Sequence, residues 1–332
     1  MKKNLLVTLA DKNYINQAKQ LFSSVYFNSG WKGDYMLLSH EIPEKDLKWF
    51  RKKRILIKKC KPIYKESEIK PTKLFNPNER FYLFTPYFKK WKNIIYLDGD
   101  IIVEASIDKL TEIKGFYAVK DFPLPLKEQF DYSIKTKNIY DNLKKNYNFK
   151  INSFNDGVMA FSTDIINKNS FMELLKLTGE YQKVSNNGDQ SILNLYFYKK
   201  WKELPLVYNF NPYLIIHPGL NFRKNHKLKS IIFHFYGKAK PWSTRTIFYN
   251  KFYYEWEKNL DKAELIDIKN PININKSWTE KEIKRYSRFL KIKIIIYSPI
   301  RDIRRAVGLI FIFIKNSFPK LYSKLKLNRY HV

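Results

Sequence analysis

The sequence predicts an α/β fold: a mostly parallel sheet flanked by helices, followed by a basic amphipathic helical tail. Three observations carry this expectation. Short apolar runs alternate with segments of helical periodicity from Leu5 to Phe235, the pattern of strands joined by helical crossovers. The strongest run, Ile94-Ile95-Tyr96-Leu97, lacks polar alternation, as a strand covered on both faces requires. After about Asp261, bases begin to interleave with apolar clusters.

Taken in order, Leu5 to Leu9 reads as a buried first strand, and a polar turn leads into a helix from about Ile15 to Tyr26. Tyr35 to Ser39 is a second strand, Pro43 to Lys53 a second helix and Arg54 to Lys58 a third strand. Phe81 to Phe88 is helical in pattern, and Asn93 to Val103 is strand-like on either side of an acidic kink. The sheet is therefore expected to be Rossmann-like. Phe122 to Asn152 is polar, lysine-rich and poorly periodic, the composition of an insertion or lid over the sheet. Strand and helix signals resume at Val158 to Phe161, Lys168 to Thr178 and Gln190 to Tyr198, and Ile231 to Phe235 is the last core strand. No internal repeat is present.

The chain has 332 residues, 44% of them hydrophobic and 17% aromatic, enough for a large packed core. The formal net charge of +31 favours polyanionic partners. A single cysteine, Cys60, excludes an intramolecular disulfide and a cysteine-based metal site. The opening MKKNLLVTLADKN has two lysines and an apolar run, but the run from Leu5 to Ala10 is only six residues, too short for a secretion signal. A cytoplasmic protein is the expectation.

Four motifs carry chemistry. Asp98-Gly99-Asp100 follows the strongest strand signal; in extended chain, residues i and i+2 point to one side, so both carboxylates can face one ion. Two carboxylates at a strand end suit a hard divalent cation also held by a diphosphate, although a plain polar turn has the same composition. Asn155-Asp156-Gly157 forms a polar turn beside the apolar run Val158 to Phe161. Asn187-Gly188-Asp189-Gln190 heads a helix, which Asp189 could merely cap. His234 to Trp242, HFYGKAKPW, offers an imidazole, Gly237 and two lysines directly after a strand. A neutral histidine added to two carboxylates gives mixed N/O ligation, which suits Mn²⁺ better than Mg²⁺, and Lys240 could neutralise a phosphate.

Read in order, these elements resemble the retaining glycosyltransferases of family 8, the glycogenin and bacterial lipopolysaccharide galactosyltransferase kind, with a GT-A fold. The resemblance runs from Leu5 to Trp242 and rests on VTLAD, DGD after IIYL, FNDGV, GDQSILN and HFYGKAKPW. It implies that Asp98, Asp100 and His234 hold Mn²⁺ (Mg²⁺ being the alternative) on the diphosphate of a UDP-sugar, with Gly99 between the two carboxylates. It implies that Thr8, Ala10, Asp11 and Tyr14 surround uracil and ribose, and that Gly237 and Lys240 contact the diphosphate. Asp121, Asn155, Asp189 and Gln190 would line the donor sugar, Gln190 nearest the reacting face. Two departures stand out. Asp156 replaces the Ser or Ala of many members, and Tyr82 stands sixteen residues before Asp98, where the family has Lys or Arg. Either Arg80, two residues earlier, substitutes through a shift in the chain, or the sugar pocket is organised differently.

The resemblance implies transfer of a hexose, glucose or galactose, to a glycan or lipid-linked acceptor in lipopolysaccharide or other cell-surface glycan synthesis. Front-face displacement is the expected route, with double displacement through Asp156 or Asp189 as the alternative. The competing readings are a haloacid-dehalogenase-type phosphatase and a basic binding protein without catalysis. The first is opposed by Ile102, where such enzymes carry a small residue, and the second by a DGD that repels phosphate unless a metal is present. The expected organisation is a catalytic domain over residues 1–260, a linker over 261–283 and a membrane-association segment over 284–332. That last segment holds thirteen Lys or Arg and one acidic residue, Asp302. Its longest apolar run, Ala306 to Ile314, is nine residues, a helix of about 14 Å against a hydrocarbon core of about 30 Å. It is too short to span and is expected to lie on an anionic membrane surface, making the protein peripheral at the cytoplasmic face. No nucleic acid is expected, because contiguous Ile and Phe runs suit lipid better than phosphate. A homo-oligomer stays open.

Overall fold

The computed structural model describes residues 3–63, 78–215, 228–237, 240–242, 250–274 and 277–317. Its centre is a seven-stranded sheet in the order β3-β2-β1-β4-β7-β6-β8. The strands are β1 (Leu5–Ala10), β2 (Asp34–His40), β3 (Leu56–Cys60), β4 (Asn93–Leu97), β6 (Phe116–Pro125), β7 (Asn152–Ser162) and β8 (Trp201–Leu204). β1 pairs parallel with β2 and β4, β2 with β3 and β6 with β8, while β7 runs antiparallel to both β4 and β6. The sheet is thus mostly parallel, as expected. A two-stranded sheet joins β5 (Ile101–Val103) to β9 (Ile232–His234) in antiparallel register, with Ile101 opposite His234.

Alternation along each strand divides the core between the two faces. Leu6, Leu37, Ile95 and Leu97 lie in one cluster, and Leu5, Val7, Met36, Leu38, Ile94 and Tyr96 in the other. Both clusters are buried, so the central strands are apolar throughout. Helix α1 (Ile15–Ser29) covers the first face through Ala18, Leu21, Phe22 and Val25, spaced to form one stripe. Leu47 and Phe50 of α2 (Glu44–Lys52) and Phe252 and Trp256 of α6 (Asn250–Asp261) join it. The second face is covered by α3 (Lys137–Asn146), α4 (Ser170–Tyr181) and α5 (Asp189–Tyr196), through Leu143, Leu174, Ile192 and Leu193.

Several expectations shift in detail. The third strand begins at Leu56, because Arg54 takes a left-handed conformation (φ 60°) in the turn out of α2. Residues 78–84 and 86–90 form 3-10 turns where an α-helix was expected, with Pro86 at the start of the second. The expected insertion over 122–152 is partly sheet, since β6 runs to Pro125 and β7 starts at Asn152, with α3 between them.

The C-terminal helix α7 (Glu280–Ser317) begins inside the stretch read as linker and continues through Pro299. Ile283, Leu290 and Ile294 are buried in the core of the first face. Lys291 pairs with Glu203 of β8 at 2.9 Å. Phe289, Ile292, Ile295 and Ile296 are exposed on the same helix. Among the described residues, no helix is long and apolar enough to cross a membrane.

Candidate active site

The chain leaves β4 at Leu97, passes through Asp98-Gly99-Asp100 and enters β5, which departs from the main sheet. Pairing of β5 with β9 sets His234 beside the two carboxylates. Each side chain is held separately. The Asp98 backbone N–H donates to the Gly157 carbonyl at 2.9 Å. Its Oδ1 accepts from the Tyr96 hydroxyl at 2.7 Å and lies 3.3 Å from Arg80. Its Oδ2 faces Nε2 of His234 at 3.7 Å. Asp100 Oδ1 lies 3.1 Å from the same nitrogen, and its Oδ2 is paired with Lys240, which also donates to the Phe235 carbonyl at 2.9 Å. Burial alone would raise the Asp100 carboxyl, but His234 and Lys240 outweigh it and hold the group below the usual carboxylate range.

The set fits a divalent cation. One ligand atom from each of Asp98, Asp100 and His234 lies within 4.8 Å of the others. His234 Nδ1 is engaged with Asn209 Oδ1 at 2.7 Å, while Nε2 is buried and faces the two carboxylates at 3.1 and 3.7 Å. With Nδ1 occupied by Asn209, Nε2 is the ring atom that could join the two carboxylates on a cation. Gly157 makes room for the ring: a Cβ there would lie 2.1 Å from His234 Cε1.

Arg80 forms the second half of the site. It is buried in the first 3-10 turn and meets Asp98 at 3.3 Å, Asp156 at 2.6 Å and Asp189 through Nε. Tyr82 points elsewhere, stacked on Phe171 at 5.0 Å with its hydroxyl toward the Lys61 carbonyl. Arg80, and not Tyr82, brings positive charge to the carboxylates. Burial would lower the arginine, but Asp156 and Asp189 hold it well above its ordinary value. Burial pushes Asp189 up to about 6 and Asp156 well above its ordinary value, each against the opposing pull of Arg80.

Gln190 enters α5 after Gly188, whose positive φ of 56° turns the chain into the helix. Its Oε1 accepts from Asn155 Nδ2 at 3.0 Å and from the Asp156 N–H at 3.3 Å. Its Nε2 donates to Asp121 at 3.1 Å and to Gln129 at 3.0 Å. Burial pushes Asp121 up to about 6, and the amide bonds from Gln129 and Gln190 oppose this. Asp121, Asn155, Asp189 and Gln190 are thus brought together.

Of the first-turn residues, Thr8 is buried in β1 with Oγ1 unpartnered among the described residues, and Ala10 ends that strand. Asp11 is committed to the turn, accepting from the N–H groups of Asn13 and Tyr14 at 2.9 and 3.1 Å. Tyr14 lies over the DGD, since a Cβ on Gly99 would be 3.3 Å from its ring. Burial, then Asp100, Asp98 and Asp11, push its hydroxyl up to about 12. Gly237 is exposed beyond His234, and Trp242 meets Tyr14 edge-on at 6.1 Å. The structure adds Tyr96, Gln129, Gly157 and Asn209 to the expected set. Only Gly157 had a signal in the sequence, as the glycine of a motif read as a polar turn; the structure places it inside β7.

Residues 5–246 match the family model described as glycosyl transferase family 8. The chain is similar to glycosyltransferase GlyF of Streptococcus pneumoniae, 25% identical over 281 residues, covering 81% of this chain and 64% of that protein. Glycosyltransferase GlyB of the same organism is 26% identical over 257 residues, covering 71% and 57%. The chain therefore spans about three-fifths of the length of these relatives. In fold it is similar to the galactosyltransferase LgtC, solved with donor and acceptor sugar analogues, with a TM-score of 0.58 at 18% identity over 76% of this chain and 95% of that one. Neither the phosphatase reading nor that of a non-catalytic basic protein is favoured by these matches. With more than half of its length under one family model, and its DGD, arginine clamp and late-strand histidine inside the matched span, the chain belongs to glycosyl transferase family 8.

Proposed function

We propose that the protein is a retaining hexosyltransferase that moves glucose or galactose from a UDP-sugar to a glycan or lipid-linked acceptor. Lipopolysaccharide or other cell-surface glycan synthesis is the setting we favour. The observation that carries this reading is the convergence of Asp98, Asp100 and Nε2 of His234 beside a buried arginine–carboxylate cluster. Those three residues would hold a divalent cation, Mn²⁺ in first place for its mixed ligands, and when bound it offsets the charge that the leaving diphosphate gains. Lys240, on the outer oxygen of Asp100, lies where it can turn to the same diphosphate. Thr8, Ala10, Asp11 and Tyr14 would border the nucleoside, and Gly237 the diphosphate. Asp121, Asn155, Asp189 and Gln190 would line the sugar. Arg80 clamps both Asp156 and Asp189, which favours front-face displacement over attack by either carboxylate.

The exposed Phe289, Ile292, Ile295 and Ile296 of α7, with the many bases that follow in the sequence, support peripheral binding to an anionic membrane surface. The buried free thiol of Cys60 suits the cytoplasmic side. A screen of UDP-hexoses for Mn²⁺-dependent turnover tests the function, with proton NMR for retention of the α-anomer. Asp100→Ala is expected to lower turnover by on the order of 10²-fold. Full turnover by that variant in EDTA, or a β-linked product, overturns the proposal.

A further inference from the structure

A directed chain of side-chain hydrogen bonds joins His234 to Asp121. Asn209 Oδ1 lies 2.7 Å from His234 Nδ1, and Asn209 Nδ2 donates to Asn155 Oδ1 at 2.8 Å. Asn155 Nδ2 donates to Gln190 Oε1 at 3.0 Å, and Gln190 Nε2 donates to Asp121 Oδ2 at 3.1 Å. An amide in isolation could be flipped, but here the direction is pinned at three points. The Gly157 N–H donates to Asn155 Oδ1 at 3.1 Å, so that atom is the acceptor. The Asp156 N–H donates to Gln190 Oε1 at 3.3 Å. Asp121 accepts from both Gln190 and Gln129, at 3.1 and 3.0 Å. Reversing any amide would set oxygen against oxygen or N–H against N–H in a buried site.

We infer that Asn209 is a positioning residue that fixes the tautomer of His234 and ties it to the orientation of Gln190. With Asn155 Oδ1 an acceptor, Asn209 must present Nδ2 to it and Oδ1 to the histidine. His234 Nδ1 therefore carries a proton, and in the neutral ring the lone pair belongs to Nε2, the atom that faces Asp98 and Asp100. The backbone makes this possible. Phe210 N–H donates to the Ile232 carbonyl at 3.2 Å and His234 N–H to the Phe210 carbonyl at 3.0 Å, which lays the 209–210 segment along β9. The same five side chains span the proposed cation site and the proposed sugar pocket, so a change at Asn209 reaches both.

The inference rests on the proposed reading of Asp98, Asp100 and His234 as a cation site, and the test separates the two. Imidazole ¹⁵N spectra of the metal-free, full-length protein read the tautomer without any ion. The expected spectrum has a proton on His234 Nδ1, the nitrogen that Asn209 Oδ1 faces. Mn²⁺ affinity, read from the EPR signal of the free ion, is expected to fall in Asn209→Leu by about tenfold to hundredfold. Asn209→Asp keeps an acceptor for Nδ1–H but no donor to Asn155, so it is expected to hold Mn²⁺ at least as tightly as the wild type while the KM for the donor sugar rises. An Nδ1 without a proton in the wild-type spectrum overturns the inference, as does unchanged Mn²⁺ affinity in a folded Asn209→Leu. If Asn209→Leu does not fold, the wild-type spectrum and the Asn209→Asp split still decide. Equal Mn²⁺ affinity in wild type and Asp100→Ala would instead overturn the cation site and leave the spectrum to judge the tautomer.

Discussion

Replacing Gly157 by alanine puts a Cβ 2.1 Å from Cε1 of His234, 2.7 Å from Nδ1 and 2.9 Å from Nε2. Ordinary contact begins near 3.4 Å, so ring and strand must separate by about 1 Å. Neither can move freely. The ring is buried and bonded to Asn209 at 2.7 Å, and a shift of β7 would drag Asp98 through its bond to the Gly157 carbonyl. Either route displaces a proposed metal ligand, and a misplacement of about 1 Å costs about 10²-fold in rate. The crowding itself should cost about 1–3 kcal/mol of stability. The assay is donor turnover with Mn²⁺ in excess, paired with Mn²⁺ affinity by EPR and a urea melt. A Gly157→Ala protein with wild-type turnover, cation affinity and stability would refute the packing argument.

Arg80→Leu leaves Asp156 and Asp189 buried without their partner, and a loss of about 3–5 kcal/mol in urea denaturation is expected; Arg80→Lys should recover only part, because one ammonium cannot reproduce a fork to three carboxylates. His40 Nδ1 lies 3.3 Å from Glu79 in a buried pair, and that hydrogen bond raises its pKa against burial. Folded His40 therefore holds its proton more tightly than the unfolded chain. The pair's contribution is complete below about pH 6.5 and is lost as pH rises through the higher folded value; urea midpoints over a pH series should show this slope flattened in Glu79→Gln. Truncation after Tyr297 keeps the buried Ile283, Leu290 and Ile294 and removes the bases beyond. It should weaken binding to anionic liposomes, since the exposed Phe289, Ile292, Ile295 and Ile296 stay, while donor turnover persists; unchanged binding at low salt would count against the role of the bases beyond Tyr297.

Part of what depends on neighbours along the chain was legible in the sequence. Periodicity gives the strands from β1 to β4, the end of β7 and β9, but not β6, β8 or α6, and the DGD is legible as two carboxylates after the strongest strand signal, although Gly99 and Asp100 form a turn and not extended chain. The basic character of the C-terminal segment is a matter of composition alone. Tertiary structure decided the rest. Arg80 and Tyr82 could not be told apart without knowing the local helix: at about three residues per turn in place of 3.6, the 3-10 turn re-aims successive side chains. The apolar pattern of α7 marks surfaces to be covered but not what covers them, and the structure commits Ile283, Leu290 and Ile294 to the core while Ile292, Ile295 and Ile296 face outward. Asn209 and Gln129 carry no local signal. Asn209 meets Asn155 and His234, 54 and 25 residues away, because residues 209–210 lie along β9, and Gln129 meets Asn187 and Gln190, 58 and 61 residues away, where the turn after β6 lies against α5. A hydrogen bond is set by a distance of about 3 Å through space, and the chain between its partners does not encode that distance.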